Sequence, residues 1–459
     1  TNERKMKAKD TQQQQQSTSS TASTSTASST KTCTFTSFLW IILVAVILRL
    51  VLYYQGFHNV LSQRNEISTP LTGFKRLTEG LHLHTLGLSP YAGSAYHQAP
   101  LLLLAFMPLH GLHIIASQLM FVLVDVIIAY LLRRITVLAG SVLPQEMGGD
   151  PKLAQSNFPN VVAAIYLFNP FTLFTSVGMS TIVFNNLSII ASLYFALSGN
   201  MFLSLFSVAS AVYISIYPIM LIFPVSYILK RTTASKSSVV FAIKTVLLFI
   251  FSLGSLLYIS FTLLNSWEFI EKCYWFTFLV EDLTPNIGLF WYYFIEVFEH
   301  FRNFFLFIFQ YHVFIYTIPL AIRLKNHPLF YFWTLCAIIA TFKSYPAMGD
   351  TSLHLALLPL LYEPLKGVRY SFIIVVVGIY VTVLAPILWQ MWIYQGTGNA
   401  NFYYTINLVF TLAQVLLIVD SFSVLLKLDY IKKINSRQQQ QPQQEGGNSS
   451  SGGGKGIKQ

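Results

Sequence analysis

The groups able to do chemistry in this chain are few and scattered. Glu296, Glu299 and His300 recur at a spacing that sets all three near one helical face, as a metal site needs, but no second cluster of ligands accompanies them. Glu66 and Glu79 are the only acids in the polar stretch 55–110, and Glu79 stands near Lys75 and Arg76, the arrangement of a surface ion pair. Lys343 and Asp350, in "FKSYPAMGD", form a further pair able to bridge helices or touch a polar ligand. Cys33, Cys273 and Cys336 have neither metal-ligand spacing nor a His partner in a peptidase-like context. Arg49, Asp125 and Asp420 fall inside apolar runs, where Arg49 is placed to snorkel from the end of its run and the two acids to hydrogen-bond between helices.

The elements that must position these groups are apolar. Of 459 residues, 54% are hydrophobic and only 10% charged, with 38 Phe and 25 Tyr, a composition far from that of soluble domains and expected of an integral membrane protein. The net charge of +11 would suggest nucleic acid in a soluble chain. Here the Lys and Arg sit in short clusters beside apolar runs, which reads as membrane topology and leaves no nucleic-acid partner. Placing each cluster (Arg133 with Arg134, Lys230 with Arg231 and Lys236, Arg323 with Lys325, Lys366 with Arg369, Lys427 with Lys432 and Lys433) on the cytosolic side predicts about twelve spans. They fall near 38–54, 111–132, 160–176, 180–198, 201–214, 217–229, 238–264, 302–322, 328–342, 352–365, 371–393 and 403–426. The fold class is therefore an all-α polytopic membrane protein with both termini cytosolic. Pro170, Pro218, Pro224 and Pro359 interrupt several spans and predict broken, packed helices.

The multispanning domain covers 38–433. Residues 1–37 and 434–459 are Gln-, Ser/Thr- and Gly-rich tails too polar to build a core, and are expected to be disordered and cytosolic. Four lumenal segments remain, near 55–110, 265–301, 343–351 and 394–402; we number them first to fourth. In the first, Phe74, Leu77 and Leu81 recur near helical spacing opposite Lys75, Arg76 and Glu79, predicting an amphipathic helix on the lumenal surface. Pro90 and Pro100 fix a turn after it. The second is dense in aromatic residues and predicts a helix at headgroup depth.

Two stretches, "GLSPYAGSAYHQAPLLLL" (87–104) and "YLFNPFTLFTSVGMSTIVFNNL" (166–187), resemble the multispanning (GT-C-like) glycosyltransferases that use dolichol-phosphate sugars, notably the first mannosyltransferase of glycosylphosphatidylinositol (GPI) synthesis. That resemblance implies their fold, and a lipid-linked-sugar glycosyltransferase is the alternative function. In that family an acid in the first loop activates the acceptor hydroxyl. Here only Glu66 and Glu79 are available, and Val177-Gly178 and Ser180-Thr181 stand where the family has Arg-Gly and an acid. The longer strings "LTPNIGLFWYYFIEVFEHF", "YTIPLAIRLKNHPLF", "FKSYPAMGD" and "LWQMWIYQGTGNANFYYTI", in this order, resemble the PIG-U family of GPI transamidase subunits over essentially residues 38–433.

This resemblance implies a noncatalytic subunit of the endoplasmic reticulum membrane that recognises or presents the GPI lipid, or the attachment signal, while a caspase-like cysteine peptidase (PIG-K type) does the chemistry. Its implied partners are that subunit, PIG-T, PIG-S and a Gaa-type subunit, with GPI lipid and membrane phospholipids. Carried onto these residues, it makes Asn399 and Asn401 of "QGTGNANF" the GPI-contacting residues, since each amide both donates and accepts and Gly396 and Gly398 let the backbone approach. Lys236 and Lys325 are the candidates for phospholipid binding. No catalytic residue, metal ligand or cofactor is assigned.

Overall fold

Every apolar run anticipated from the sequence falls on a helix or on two or three successive short helices. The computed structural model describes residues 36–144, 146, 156–233 and 237–440. Cys33, Lys236 and most of both tails lie outside the described residues. The chain divides into two compact units, Thr1–Leu360 and Leu361–Gln459. Among the described residues six helices are long and apolar enough to cross a membrane, or seven if one bent pair counts as a single span.

In the first unit the main helices are α1 (Thr36–Tyr54), α2 (Phe74–Thr85), α3 (Pro100–Phe106), α4 (Ile114–Val142), α5 (Phe158–Phe168), α6 (Pro170–Val177), α7 (Ile182–Leu197), α8 (Met201–Ile214), α9 (Ile222–Thr232), α10 (Ser238–Leu264), α11 (Phe290–Glu296), α12 (Glu299–Arg323), α13 (Pro328–Phe342) and α14 (Met348–Leu357). The second unit holds α15 (Ser371–Trp389), a π-helical turn Gln390–Tyr394, and α16 (Ala400–Gln440).

The breaks follow local chemistry. α5 and α6 bend by 52° at Asn169 because Pro170 lacks the N–H that would continue the helix, while the Asn169 side chain accepts from Phe171 N at 3.0 Å and starts a new one. Pro218 and Pro359 lie in 3-10 turns, Tyr217–Leu221 and Leu358–Leu361, and Pro224 lies in the first turn of α9, where its missing donor costs little. At 41 residues, α16 is about 60 Å long, twice the hydrocarbon thickness, and runs past residue 433 to Gln440.

Two expectations for α1 and α2 change. Arg49 does not snorkel. It is 1% exposed; its Nε donates to Asp125 of α4 at 2.9 Å, Nη1 to the Ala45 carbonyl at 3.2 Å and Nη2 to the Leu167 carbonyl of α5 at 3.1 Å. Asp125 also accepts from the Tyr166 hydroxyl at 3.0 Å, so the acid does bond between helices as expected. A guanidinium paired with a carboxylate and bonded at each of its three nitrogens is cheaper to bury than one left unpaired. The apolar face of α2, in turn, is covered by protein: Phe74 packs edge-on against Phe106 and Phe121, with Leu77 and Leu81 buried beside it.

At the opposite end of the unit, buried Glu146 caps α13, its Oε2 accepting from Leu329 N at 3.0 Å and Phe330 N at 3.1 Å. Arg231 at the end of α9 lies 3.7 Å from Oε1 and donates to the Asn326 carbonyl at 2.8 Å. Burial pushes the Glu146 carboxyl up from 4.5 to about 7, against the lowering pull of the two amides and Arg231.

Two outcomes follow. Asp125→Leu, leaving Arg49 charged and buried, should destabilise the chain by about 3–5 kcal/mol, and adding Arg49→Leu should recover most of it, read as thermal unfolding in detergent. Glu146 binds its proton more tightly folded than unfolded, so its contribution to stability is present at low pH and declines as pH rises from about 4.5 to about 7, by on the order of 3 kcal/mol. Glu146→Gln should flatten that part of the stability-versus-pH curve.

Candidate functional site

Three of the four segments singled out in the sequence meet in the first unit. Residues 87–99 of the first segment form a loop stiffened from within. The Tyr91 hydroxyl donates to the Gln98 carbonyl at 2.8 Å and the Tyr96 hydroxyl to the Ala99 carbonyl at 3.2 Å. Tyr96 lies flat against α2 because residue 80 is Gly: a Cβ there would come within 2.7 Å of the ring. Gln98 then reaches inward, its Nε2 donating to the Gly73 carbonyl at 2.7 Å and its Oε1 accepting from the Thr181 hydroxyl at 2.9 Å.

The second segment enters as a π-helical turn, Ile270–Trp275, followed by a single α-turn, Phe276–Leu279. The His97 ring lies on Phe276 with centroids 3.7 Å apart and planes 10° apart, and the other neighbour in the column is Tyr345 of the third segment, 5.9 Å from Phe276 and 12° off parallel. His97 Nδ1 is 2.9 Å from the Lys272 carbonyl and Nε2 is 3.0 Å from the Ser94 carbonyl. The Tyr345 hydroxyl accepts from Asp282 N at 3.1 Å, and Asp282 pairs with Arg76 of α2 at 3.3 Å. Arg76 is thus paired across segments; Glu79 is exposed.

The third segment is held by a buried ion pair. Lys343 Nζ lies 2.7 Å from Asp350 Oδ1, both side chains 5% exposed, while Asp350 Oδ2 accepts from Ala347 N at 2.9 Å at the start of α14. Of the two readings open for this pair, the structure takes the internal bridge.

Between the segments lies a cavity bordered by His97, Gln98, Thr181, Cys273, Lys343 and Tyr345, about 30 Å³ in volume, room for about two water molecules. Its wall groups are bonded to one another: the Cys273 thiol points to the Gln98 carbonyl at 3.1 Å and the Tyr217 hydroxyl lies 2.8 Å from Ser344 Oγ. Burial raises the Cys273 thiol to about 12 and the Tyr91 phenol above its usual range, so both stay protonated near neutrality. Glu66 is buried, and its carbonyl accepts from Met348 N at 2.8 Å.

Glu296, Glu299 and His300 do not share a helix face, which corrects the sequence reading. Val297 and Phe298 are extended and break the chain between α11 and α12, leaving Glu296 at the end of one helix and Glu299 in the first turn of the next, where the helix dipole favours an acid. Among the described residues no group of three or more His, Cys, Asp or Glu side chains is placed to hold a metal.

Asn399 and Asn401 stand in the second unit, both exposed. The Asn399 side chain accepts from Phe402 N at 3.2 Å and so caps α16. The turn before it folds back on the π-helical turn, Thr397 N and Gly398 N both donating to the Met391 carbonyl at 3.0 and 3.1 Å. Gly396 adopts φ +65°, and a Cβ at Gly398 would sit 3.2 Å from Trp392 N. Lys325 is exposed in the turn before α13. The ring column was not anticipated; its one trace in the sequence is an aromatic or imidazole ring in each of "YHQAP", "YWFTF" and "KSYP".

A family model described as GPI transamidase subunit PIG-U matches residues 43–410. The human GPI-anchor transamidase component PIGU is 38% identical over 411 residues, spanning 85% of this chain and 94% of the relative. The Saccharomyces cerevisiae GPI transamidase component GAB1 is 32% identical over 391 residues, spanning 84% and 93%. GPI mannosyltransferase 1 of Dictyostelium discoideum is 31% identical over 138 residues, a match confined to 30% of this chain and 29% of the relative.

The column makes a direct prediction. Phe276→Ala removes the middle ring and should cost about 3–5 kcal/mol of stability, whereas Phe276→Tyr, which keeps the stack, should cost less than half of that in the same thermal assay.

Proposed function

This chain belongs to the PIG-U family and is a GPI transamidase subunit, and from that premise we propose that it has no catalytic residue of its own and serves to hold the GPI lipid for attachment. The observation that carries the proposal is the state of the cavity where the first three segments meet. A glycosyl transfer needs a carboxylate free to take a proton from the acceptor hydroxyl. Asp350, the acid beside the cavity, is bonded to Lys343 and to Ala347 N, and the Gln98 side chain on the wall is bonded to Gly73 and Thr181. The scaffold of a sugar-transferring enzyme is kept, on this reading, with its chemistry closed off.

Headgroup contact is assigned to the fourth segment. Asn399 and Asn401 are exposed on a turn whose glycines bring the backbone to the surface, and amides of this kind pair with sugar hydroxyls and phosphate oxygens. The cap made by Asn399 uses its oxygen as acceptor, so the amide nitrogen is the group we assign to the ligand. Lys325, exposed beside a carbonyl-bound Arg231, is assigned to an anionic phospholipid, with Lys236 its expected companion.

The membrane arrangement proposed with this function has about twelve crossings by residues 38–433 in a GT-C-like fold, the shorter apolar helices such as α7, α8 and α13 crossing alongside the six long ones. Both tails then lie in the cytosol and the four segments in the lumen of the endoplasmic reticulum. The partners are a caspase-like peptidase subunit of PIG-K type, PIG-T, PIG-S and a Gaa-type subunit, the peptidase supplying the nucleophile.

Asn399→Ala combined with Asn401→Ala should lower GPI-anchored protein at the cell surface about tenfold, as loss of one or two ordinary hydrogen bonds would, while the complex still co-purifies. Unchanged anchoring with an intact complex would remove the turn from the lipid site.

A further inference from the structure

Both ring nitrogens of His97 face backbone carbonyl oxygens, those of Lys272 at 2.9 Å and Ser94 at 3.0 Å. Carbonyl oxygens only accept. A neutral imidazole has one N–H, so in that form one nitrogen would turn its lone pair onto an oxygen about 3 Å away. The imidazolium form donates to both, and a cation lying on the Phe276 face is additionally favoured by the ring quadrupole.

Two carboxylates meet the loop that carries His97, Glu268 accepting from the Ser89 hydroxyl at 2.8 Å and Glu79 lying against Gly93, and neither bonds the imidazole. From its own loop, Tyr91 and Tyr96 face His97 as buried, neutral phenols. From the π-helical turn come neutral Cys273, and Lys272 with Glu271, which pair with each other at 3.8 Å. Lys343 is bonded to Asp350, Arg76 to Asp282, and Tyr345 stands beyond Phe276 as a neutral ring.

We propose that His97 is a proton-dependent latch, a positioning residue that as an imidazolium ties the first segment to the second and closes the cavity over Cys273. Loss of its proton removes one of the two donated bonds and sets a lone pair against a carbonyl, so the tie is stronger at low pH than at high pH. The π-helical turn is the part released, because His97 bonds it through Lys272 and stacks on the residue that follows the turn.

Cys273 reports the latch. It borders the cavity, directly follows Lys272, and is buried. In the intact transamidase in nanodiscs, maleimide labelling of Cys273, followed by peptide mass spectrometry, is compared between the unaltered chain and His97→Gln. The ratio of the two rates cancels the thiolate chemistry common to both. It should be about tenfold or more at about pH 6 and fall to within about twofold by about pH 8.5. A ratio that is the same at both pH values, or is near one throughout, overturns the latch. Should His97→Gln fail to assemble, hydrogen exchange of the unaltered chain decides the matter. Protection of residues 94–99 and 270–277, taken relative to buried α13, should fall about tenfold between the same pH values after correction for intrinsic exchange, and constant relative protection overturns the proposal.

Discussion

The column of rings formed by His97, Phe276 and Tyr345 ties together three parts of the chain that are far apart in sequence. Each ring comes from a different segment, His97 and Tyr345 from loops and Phe276 from a four-residue helical turn. Stacking alone is a modest force, worth about 0.5–1.5 kcal/mol per pair beyond burial. Its importance here lies in what hangs from each ring: His97 bonds the turn at Lys272, Tyr345 holds Asp282, and Asp282 reaches Arg76 on α2. The cavity behind the column inherits its shape from these ties.

A second constraint runs through the apolar body. A polar group removed from water must find its partner inside the protein, and in a membrane no loop or terminus escapes that demand. Arg49 meets it with three donated bonds to three helices. Lys343 and Asp350 meet it at the mouth of α14, and Glu146 meets it by capping α13. Short and broken helices are tolerated on the same terms: the bend at Asn169 is stable because a side chain replaces the missing backbone bond.

These two constraints bear on function together. A pocket with room for about two waters, beside an acid already paired with a lysine, offers little to a sugar that needs both a binding site and a free base. The exposed turn of the second unit, built on Gly396 and Gly398, has amides in reach of solvent instead.

Much was legible from sequence. Apolar runs located the helices, because hydrophobic length is a property of neighbouring residues, and Asn169-Pro170 marked a break for the same local reason. Asp125 was read as a helix-to-helix contact from its chemistry alone. What stayed hidden was partner choice. Arg49 looked like a snorkelling residue because nothing near it in the chain announces Asp125, 76 positions away. Glu296, Glu299 and His300 looked like one face because spacing assumes an unbroken helix, and the extended pair Val297-Phe298 breaks it. Nothing in the sequence singles out His97. Only packing of the first segment against the second set its Nδ1 on the Lys272 carbonyl. Local hydropathy and turn chemistry are written residue by residue, whereas the pairing of buried charges and rings depends on which distant segments the fold presses together.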